Sequence, residues 1–183
     1  MIETNPFPYF LPPKADKLII GSFPCYNGKD YGDWYYSGSG KNHFWKLLSD
    51  VYEMPTGTLE QKIALCKKHH IALTDIACKI ERLKGNCSDA NLKIVVFNKE
   101  GITTCLKTGI KKIFFTSRFV ENHFLKHYSE LNISSRVLVS PSPSANKHIG
   151  GLNTYKQLVS EKRIGSTYEY RLLNYRELLL ENF

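Results

Sequence analysis

Apolar residues along this chain fall into short continuous runs rather than into strict apolar–polar alternation. Four runs, each bounded by polar residues or glycine, predict buried strands at Lys17–Ser22, Ile71–Ile76, Lys112–Thr116 and Arg136–Ser140. Continuous apolar strands are typical of parallel sheets that are covered on both faces. We therefore expect one central parallel sheet of about four strands.

Helical periodicity separates these strands. Phe44, Leu47, Leu48 and Val51 repeat at the spacing of one helix face, and Asn42 lies where the N-cap of that helix is expected. Further helices are predicted from a capping box at Thr58 toward Lys68, through Thr103–Lys107 to Gly109, from Ser117 through Leu131, and around Tyr155–Val159 and Leu172–Leu180. Alternating strands and helices predict an α/β fold with three layers, α/β/α.

Three loops follow the predicted strands and should lie together. Residues 23–40 form a long segment rich in Gly, Pro, Asn, Asp and Tyr, and residues 85–92 are also polar. Ligands of parallel α/β sheets bind beyond the carboxyl ends of the strands. We therefore expect a site built from residues 23–42, from Asp75 onward and from residues 141–148.

Composition is that of an ordinary globular protein, and the 183 residues are expected to form a single domain, 1–183. Hydrophobic residues make up 42% of the chain and charged residues 23%. No apolar run approaches the ~20 residues of a membrane span, and the first residues lack the pattern of a signal peptide. A cytoplasmic protein without a membrane partner is expected.

Five cysteines, Cys25, Cys66, Cys78, Cys87 and Cys105, are widely spaced and contain no Cys-x-x-Cys pair. Their odd number and spacing argue against a disulfide framework, a zinc site and an iron–sulfur cluster. We expect no metal, no cofactor and a reducing cytosol.

A formal net charge of +8 favours a polyanionic partner. Gly38–Lys41 has the look of the end of a phosphate-binding P-loop. That loop also needs an earlier glycine, where this chain has Tyr35, and a Ser or Thr after the lysine, where it has Asn42. A P-loop nucleotide triphosphatase is therefore excluded.

Four segments in order carry a resemblance: LIIGSFP at 18–24, YYSGSGKNHFW at 35–45, ALTDIACKIERLKGNCSDANL at 72–92 and VLVSPSPSAN at 137–146. Together they resemble the uracil-DNA glycosylase superfamily, and most closely its mismatch-specific and hypoxanthine-DNA glycosylase branches. The resemblance implies a monomeric enzyme that flips a damaged base out of DNA and hydrolyses its N-glycosidic bond without an iron–sulfur cluster. The lack of a lysine at a candidate nucleophile position predicts no Schiff base and no strand cleavage.

The resemblance assigns the chemistry to two polar residues. Asn42, in Asn42–Trp45, matches the asparagine taken as catalytic in the hypoxanthine branch, where an amide can position water or donate to a base carbonyl. The alternative is that Asn42 only caps a helix. Asp75 stands where uracil-specific relatives have a base-reading asparagine, and its alternative role is to bond loop amides.

Aromatic and serine residues complete the predicted base site. Tyr36 is the candidate for stacking on the base, with Phe23 as an equal possibility and packing of the loop as the alternative, and Ser22 belongs to the same motif. Phe23 also replaces the water-activating Asp or Asn of uracil-specific relatives. Either the hypoxanthine-type arrangement with Asn42 applies, or the chain is catalytically weak. Asp75 in place of the base-reading asparagine leaves room for a base other than uracil.

The DNA backbone is expected to meet residues of two loops: Ser142, Ser144, Asn146, Lys147 and Arg82. The segment Ser140–Ala145 resembles the backbone-pinching motif of the superfamily, in which Ser140 replaces a histidine and a leucine wedge is absent. Lys147 and His148 are possible substitutes for that histidine, and a proline-stiffened surface turn is the alternative.

These features predict a monofunctional DNA glycosylase that removes a deaminated base, uracil or hypoxanthine, in base excision repair. Phe23 and Ser140 support one alternative, a catalytically weak or inactive DNA-binding protein on the same fold. A second alternative is an enzyme that hydrolyses free nucleosides.

Overall fold

The computed structural model describes residues 1–26 and 28–181, and a four-stranded parallel sheet lies at its centre. Its strands are β2 (Lys17–Gly21), β3 (Ile71–Asp75), β6 (Lys112–Phe115) and β7 (Ser134–Val137), in the order β3-β2-β6-β7. The first three match predicted strands, and β7 begins two residues earlier than predicted. The fourth run therefore leaves the sheet at Leu138 and continues as loop toward the predicted site.

A second, antiparallel sheet was not predicted. It joins β1 (Ile2–Thr4), β4 (Ala77–Arg82) and β5 (Leu92–Phe97) in the order β1-β4-β5. β4 follows β3 after a single residue, Ile76, so the chain passes directly from the parallel sheet into the antiparallel one.

Seven helices occur in the described part of the chain: α1 (Phe44–Tyr52), α2 (Leu59–Lys68), α3 (Lys99–Leu106), α4 (Arg118–Tyr128), α5 (Asn146–Gly151), α6 (Asn153–Ser160) and α7 (Thr167–Leu180). The capping box predicted at Thr58 is present, and Ser117 caps α4 as expected. Helix α4 ends at Tyr128, before the predicted Leu131, and α5 was not predicted.

Successive residues of β2 face opposite sides of the parallel sheet. Ile19 packs in a core with α1, α2 and α7, whereas Leu18 and Ile20 pack in a second core with α3, α4 and residues of the antiparallel sheet. Each face of a buried strand needs its own apolar cover, so the continuous apolar run is accounted for. The predicted three-layer α/β/α fold is confirmed.

No helix within residues 1–26 and 28–181 is both long enough and apolar enough to cross a membrane.

Candidate active site at the carboxyl ends of the parallel strands

A cavity of about 230 Å³ opens beyond the carboxyl ends of the parallel strands. A cavity of ~150 Å³ holds benzene, so this volume admits a planar heterocyclic base. Its walls bring together the five residues predicted for catalysis and base binding: Ser22, Phe23, Tyr36, Asn42 and Asp75. The loops expected to converge at this edge of the sheet therefore do so.

The packing beneath the cavity requires a glycine at position 21. Gly21 pairs with Asp75 across the parallel strands β2 and β3. A Cβ atom at Gly21 would collide with Oδ1 of Asp75 and with the hydroxyl of Tyr36. Glycine is therefore required at this position. Without a Cβ atom, the Asp75 carboxyl group and the Tyr36 hydroxyl can both pack directly against the backbone of β2 beneath the cavity.

Tyr36 has a left-handed backbone conformation, with φ at 61°. Such a conformation costs a bulky residue roughly 1–3 kcal/mol and is often retained at functional sites. The Tyr36 ring stacks on Phe44 at 3.8 Å between centroids, so only its other face is available for a ligand. Its hydroxyl is buried beside the Thr116 side chain but forms no hydrogen bond of good geometry with a described residue. Burial holds the pKa of this group well above its usual range, and the Thr116 side chain opposes that rise.

Phe23 is the other aromatic group of the cavity wall. Its ring is almost fully buried and packs edge-to-face against Tyr31, with centroids 6.1 Å apart. The Arg82 guanidinium lies 6.0 Å from the ring centroid. Neighbours on these sides fix the ring in place, which suits it as a rigid surface for a planar base.

Asn42 makes the helix-end contact that was one of its two alternative roles, and its side chain also lines the cavity. Its Oδ1 accepts a hydrogen bond from the backbone N–H of Phe44 at 2.9 Å, so the side chain does bond the first turn of α1. This bond fixes the orientation of the amide. The Nδ2 group, which has no partner among the described residues, is then the donor that the side chain can offer to the cavity.

Asp75 ends strand β3 and is only 4% exposed. Asn5 donates from Nδ2 to Oδ2 of Asp75 at 2.9 Å. Burial raises the pKa of Asp75 to about 7, and the nearby Asp89 carboxylate acts in the same direction, whereas the Asn5 hydrogen bond opposes the rise. Asp75 can therefore change its protonation state near neutral pH.

Asp89 is a further carboxyl group in the cavity wall, at a position for which the sequence predicted no role. It begins a short 3-10 turn, Asp89–Asn91, between β4 and β5. The Ser117 hydroxyl donates to Oδ2 of Asp89 at 2.5 Å, while Ser117 also caps α4. The polar composition of residues 85–92 is the only signal in the sequence, since the fold alone brings this loop to the cavity.

The Ser-Pro segment forms the opposite wall, where Ser140, Pro141, Ser142 and Pro143 line the cavity. The hydroxyls of Ser142 and Ser144 are 2.8 Å apart, and Ser142 caps the 3-10 turn Pro143–Ala145. The carbonyl of Pro141 accepts the backbone N–H of His43 at 3.0 Å. This bond joins the segment to the loop that carries Asn42.

Arg171 of α7, for which the sequence predicted no role, supports the Ser-Pro segment from within the protein. Its fully buried guanidinium donates to the carbonyls of Ser140 (2.7 Å) and Ser142 (2.9 Å), and to Oδ1 of Asn146 (2.9 Å). It also donates to the carbonyl of Thr167 at 3.1 Å. The loop therefore has a fixed shape before any ligand binds.

The residues predicted for the DNA backbone lie in different surroundings. Ser142 lines the cavity, whereas Ser144 and Lys147 are exposed outside it, beside a shallow depression that also includes His148. The Oδ1 atom of Asn146 accepts from Arg171, so this side chain is partly engaged within the protein.

Arg82 is also engaged within the protein. Its guanidinium donates twice to Glu3, at 2.8 and 3.0 Å, and to the carbonyls of Pro24 (3.2 Å) and Asn86 (3.1 Å). The Arg82 hydrogen bond also lowers the pKa of Glu3. These contacts favour a structural role for Arg82 over the phosphate contact that the sequence predicts.

Cys25 and Cys87 form a disulfide at the rim of the cavity. The expectation that this chain has no disulfide is therefore wrong. The two residues are separated by 62 positions and lie in loops after β2 and β4, which only the fold brings together. Cys66, Cys78 and Cys105 are free, and Cys66 and Cys105 are buried.

Within residues 1–26 and 28–181, no group of three or more His, Cys, Asp or Glu side chains is arranged to hold a metal ion.

Comparison with known proteins shows a similarity in fold to solved structures. No protein-family model matches the chain, and no curated protein matches it. Among solved structures, the chain is similar to a solution NMR structure from Methanosarcina acetivorans described as a "putative uracil DNA glycosylase", with a TM-score of 0.65. The alignment covers 99% of this chain and 100% of that one at 20% sequence identity, so it shows a shared fold over the whole length.

We predict that the disulfide stabilises the two loops at the rim of the cavity. Replacing Cys87 with Ser should lower the free energy of unfolding by roughly 2–4 kcal/mol, because a crosslink across a long loop restricts the unfolded chain. Urea unfolding under non-reducing conditions measures the change. Cys78→Ser, at a free half-buried cysteine, is the matched control, and equal stability of Cys87→Ser and this control would contradict the prediction.

We also predict that Arg171 maintains the shape of the Ser-Pro segment. Arg171→Met should destabilise the protein by roughly 3 kcal/mol, because buried carbonyls lose charged donors. Backbone amides of Ser142, Ser144 and Ala145 should then exchange faster with solvent. Arg176→Met on the exposed side of the same helix is the control. Equal unfolding free energies and exchange rates for the two variants would show that Arg171 does not have this role.

Proposed function

We propose that this chain is a monofunctional DNA glycosylase that flips a deaminated base, uracil or hypoxanthine, out of DNA and hydrolyses its glycosidic bond. The observation that carries the proposal is the base-sized cavity at the strand ends, which combines polar edge-reading groups with aromatic walls. The full-length similarity in fold to a chain described as a "putative uracil DNA glycosylase" supports the same activity.

Binding of the flipped base uses the aromatic wall of the cavity. Phe23 offers a rigid face, and Tyr36 offers the face that Phe44 leaves uncovered. Stacking on an aromatic side chain contributes ~1–3 kcal/mol per base, which offsets part of the cost of unstacking it from the duplex. Ser22 and Asp75 then meet the polar edge of the base.

Cleavage of the glycosidic bond leaves positive charge on the sugar and negative charge on the departing base. The Nδ2 group of Asn42 is oriented as a donor by the Phe44 bond, so it can stabilise that negative charge or hold the attacking water. The carboxyl group of Asp89, held by Ser117, is placed to accept a proton from that water or to stabilise the cationic sugar. Water then adds to the anomeric carbon as the base departs with the bonding electrons.

The DNA backbone is proposed to lie across the Ser-Pro segment. Ser142 and Ser144 offer hydroxyls there, and Lys147 offers an exposed positive charge. Asn146 is exposed beside them, and its Oδ1 accepts a hydrogen bond from Arg171. The net charge of +8 adds affinity that should fall as salt concentration rises.

Lysine chemistry at the cavity would change the outcome of the reaction. Lys41 lies at the cavity rim, but its side chain is exposed to solvent. A Schiff base needs a neutral amine, which burial in an apolar pocket favours and solvent exposure does not. We therefore propose simple hydrolysis, with base excision repair completed by other enzymes.

One second candidate, a DNA-binding protein without turnover on the same fold, is supported by the two departures in the motifs. Phe23 supplies no group that could activate water, and Ser140 cannot supply the charge of a histidine. The two proposals differ in a single observable, the formation of abasic sites.

We predict that Asn42→Asp abolishes cleavage and leaves the fold intact. The carboxylate can still accept the Phe44 N–H, so the end of α1 keeps its bond, but the amide donor is lost. Excision of uracil or hypoxanthine should fall by about 100-fold or more, as for other single donors to a developing anion. Abasic sites in labelled oligonucleotides, revealed by hot alkali, measure the rate.

Controls separate turnover from binding and folding. Asn132→Ala, in the exposed loop before β7, should cleave like the parent protein. Borohydride should trap no covalent adduct with DNA. Full activity of Asn42→Asp would remove Asn42 from the mechanism, and salt-sensitive DNA binding without cleavage of any substrate would favour the inactive binding protein.

A further inference from the structure

Asn5 is held in one orientation beside the candidate base-reading residue. The backbone N–H of Phe7 donates to Oδ1 of Asn5 at 2.9 Å, so the amide nitrogen must point the other way. Nδ2 donates there to Oδ2 of Asp75 at 2.9 Å and to the carbonyl of Ala77 at 3.3 Å. Asn5 therefore makes Oδ2 of Asp75 a permanent hydrogen-bond acceptor.

The other oxygen of Asp75 is left without a partner. Oδ1 lies above Gly21, close to the buried Tyr36 hydroxyl, and forms no hydrogen bond with any described residue. No Lys, Arg or His of the described residues forms an ion pair with Asp75. A carboxyl group buried without a cation favours its neutral form. Asn5 already occupies Oδ2, so the proton of that neutral acid belongs on Oδ1.

We propose that Asp75 reads the target base as a neutral acid whose donor and acceptor are ordered by Asn5, so that the cavity selects a lactam edge over an amidine edge. The Oδ1 hydroxyl donates to the exocyclic carbonyl of the base, and Oδ2 accepts the neighbouring ring N–H with its second lone pair. This inference rests on the proposed glycosylase function. It extends that function by naming the recognised edge and by identifying Asn5 as a positioning residue.

Deamination supplies the difference that this arrangement detects. Adenine and cytosine present an amino donor beside a ring-nitrogen acceptor, whereas hypoxanthine and uracil present a carbonyl acceptor beside a ring N–H. A free carboxylic acid can match either order by moving its proton between its two oxygens. Because Asn5 fixes that order, an amidine edge would face donor with donor, and a buried mismatch of this kind is costly.

Titratable groups around Asp75 agree with a neutral acid. The groups that interact with it are Tyr35 and Tyr36 of the loop between β2 and α1, Cys78 of β4, and Asp89 of the loop between β4 and β5. None of them is cationic. The pKa of Asp75 is raised to about 7. Since the neutral acid is the reading form, selectivity is complete below this pH and is lost as pH rises through it.

The experiment compares lesion preference at pH 6 and pH 8.5. Duplexes carry 2′-fluorinated deoxyinosine, because fluorine destabilises the cationic sugar and blocks cleavage, and a matched duplex carries 2′-fluorinated deoxyadenosine. The ratio of the two dissociation constants measures the preference for a lactam edge. It should fall about 30-fold between these pH values, as does the neutral fraction of an acid with a pKa of about 7.

Two variants test the roles of Asp75 and Asn5. Asp75→Asn should keep the preference at both pH values within about twofold, because its amide nitrogen replaces the Oδ1 hydroxyl while its oxygen still accepts from Asn5. Asn5→Ala should lower the preference for inosine over adenosine, since either proton position is then allowed. It should also raise the pH at which the preference for inosine is lost, because the Asn5 hydrogen bond lowers the pKa of Asp75. Asp16→Asn, at the opposite end of β2, controls for the loss of one negative charge.

The outcomes separate this inference from the proposed function. A pH-dependent preference that Asp75→Asn makes pH-independent supports the inference, even where an unmodified substrate is never cleaved. Cleavage of unmodified DNA with a preference that ignores pH overturns the inference and leaves the glycosylase proposal standing. If the protein shows no preference for inosine at either pH, the inference is overturned. If it also cleaves no unmodified substrate, the glycosylase proposal is overturned as well. If Asn5→Ala has the same preference for inosine as the parent protein and loses it at the same pH, Asn5 has no positioning role.

Discussion

The pairing of Gly21 with Asp75 across two parallel strands is the constraint on which the site depends. Register places a residue without a side chain opposite a buried carboxyl group at the carboxyl end of the sheet. The space where a Cβ would stand is shared by Asp75 Oδ1 and the Tyr36 hydroxyl. A cavity floor with two unpaired polar groups follows from this pairing. Buried polar groups without hydrogen-bond partners destabilise a protein, and a bound base that supplies complementary donors and acceptors would remove this destabilisation.

Contacts within the protein hold the loops around the cavity in place before a ligand binds. Arg171 fixes the Ser-Pro segment by hydrogen bonds to its carbonyls, and the Cys25–Cys87 disulfide joins the two loops on the other side. Tyr36 retains a strained backbone conformation between them. A site held in advance by its own chain loses less conformational freedom when it binds, and its donors need less rearrangement during the reaction.

Local sequence patterns predicted the parts of the fold that depend on local burial. The parallel strands are continuous apolar runs because both of their faces are covered, and residues at their carboxyl ends were therefore placed at one site. Strand β5 escaped prediction because Val95 and Val96 are consecutive and both exposed, which matches neither a buried run nor simple alternation. The disulfide, Asn5 and Arg171 escaped for a different reason. Their partners lie 62, 70 and about 30 positions away, so no local pattern marks them.

A crystal structure of the Asn42→Asp variant with a duplex containing hypoxanthine would show whether a flipped base enters the cavity at the strand ends. We expect the base outside the helix and stacked against Phe23, with its carbonyl within hydrogen-bond distance of Asp75 Oδ1. The DNA backbone should lie along Ser142 and Ser144. A base that remains stacked in the duplex, with the cavity left empty and the DNA bound at another face, would contradict this expectation.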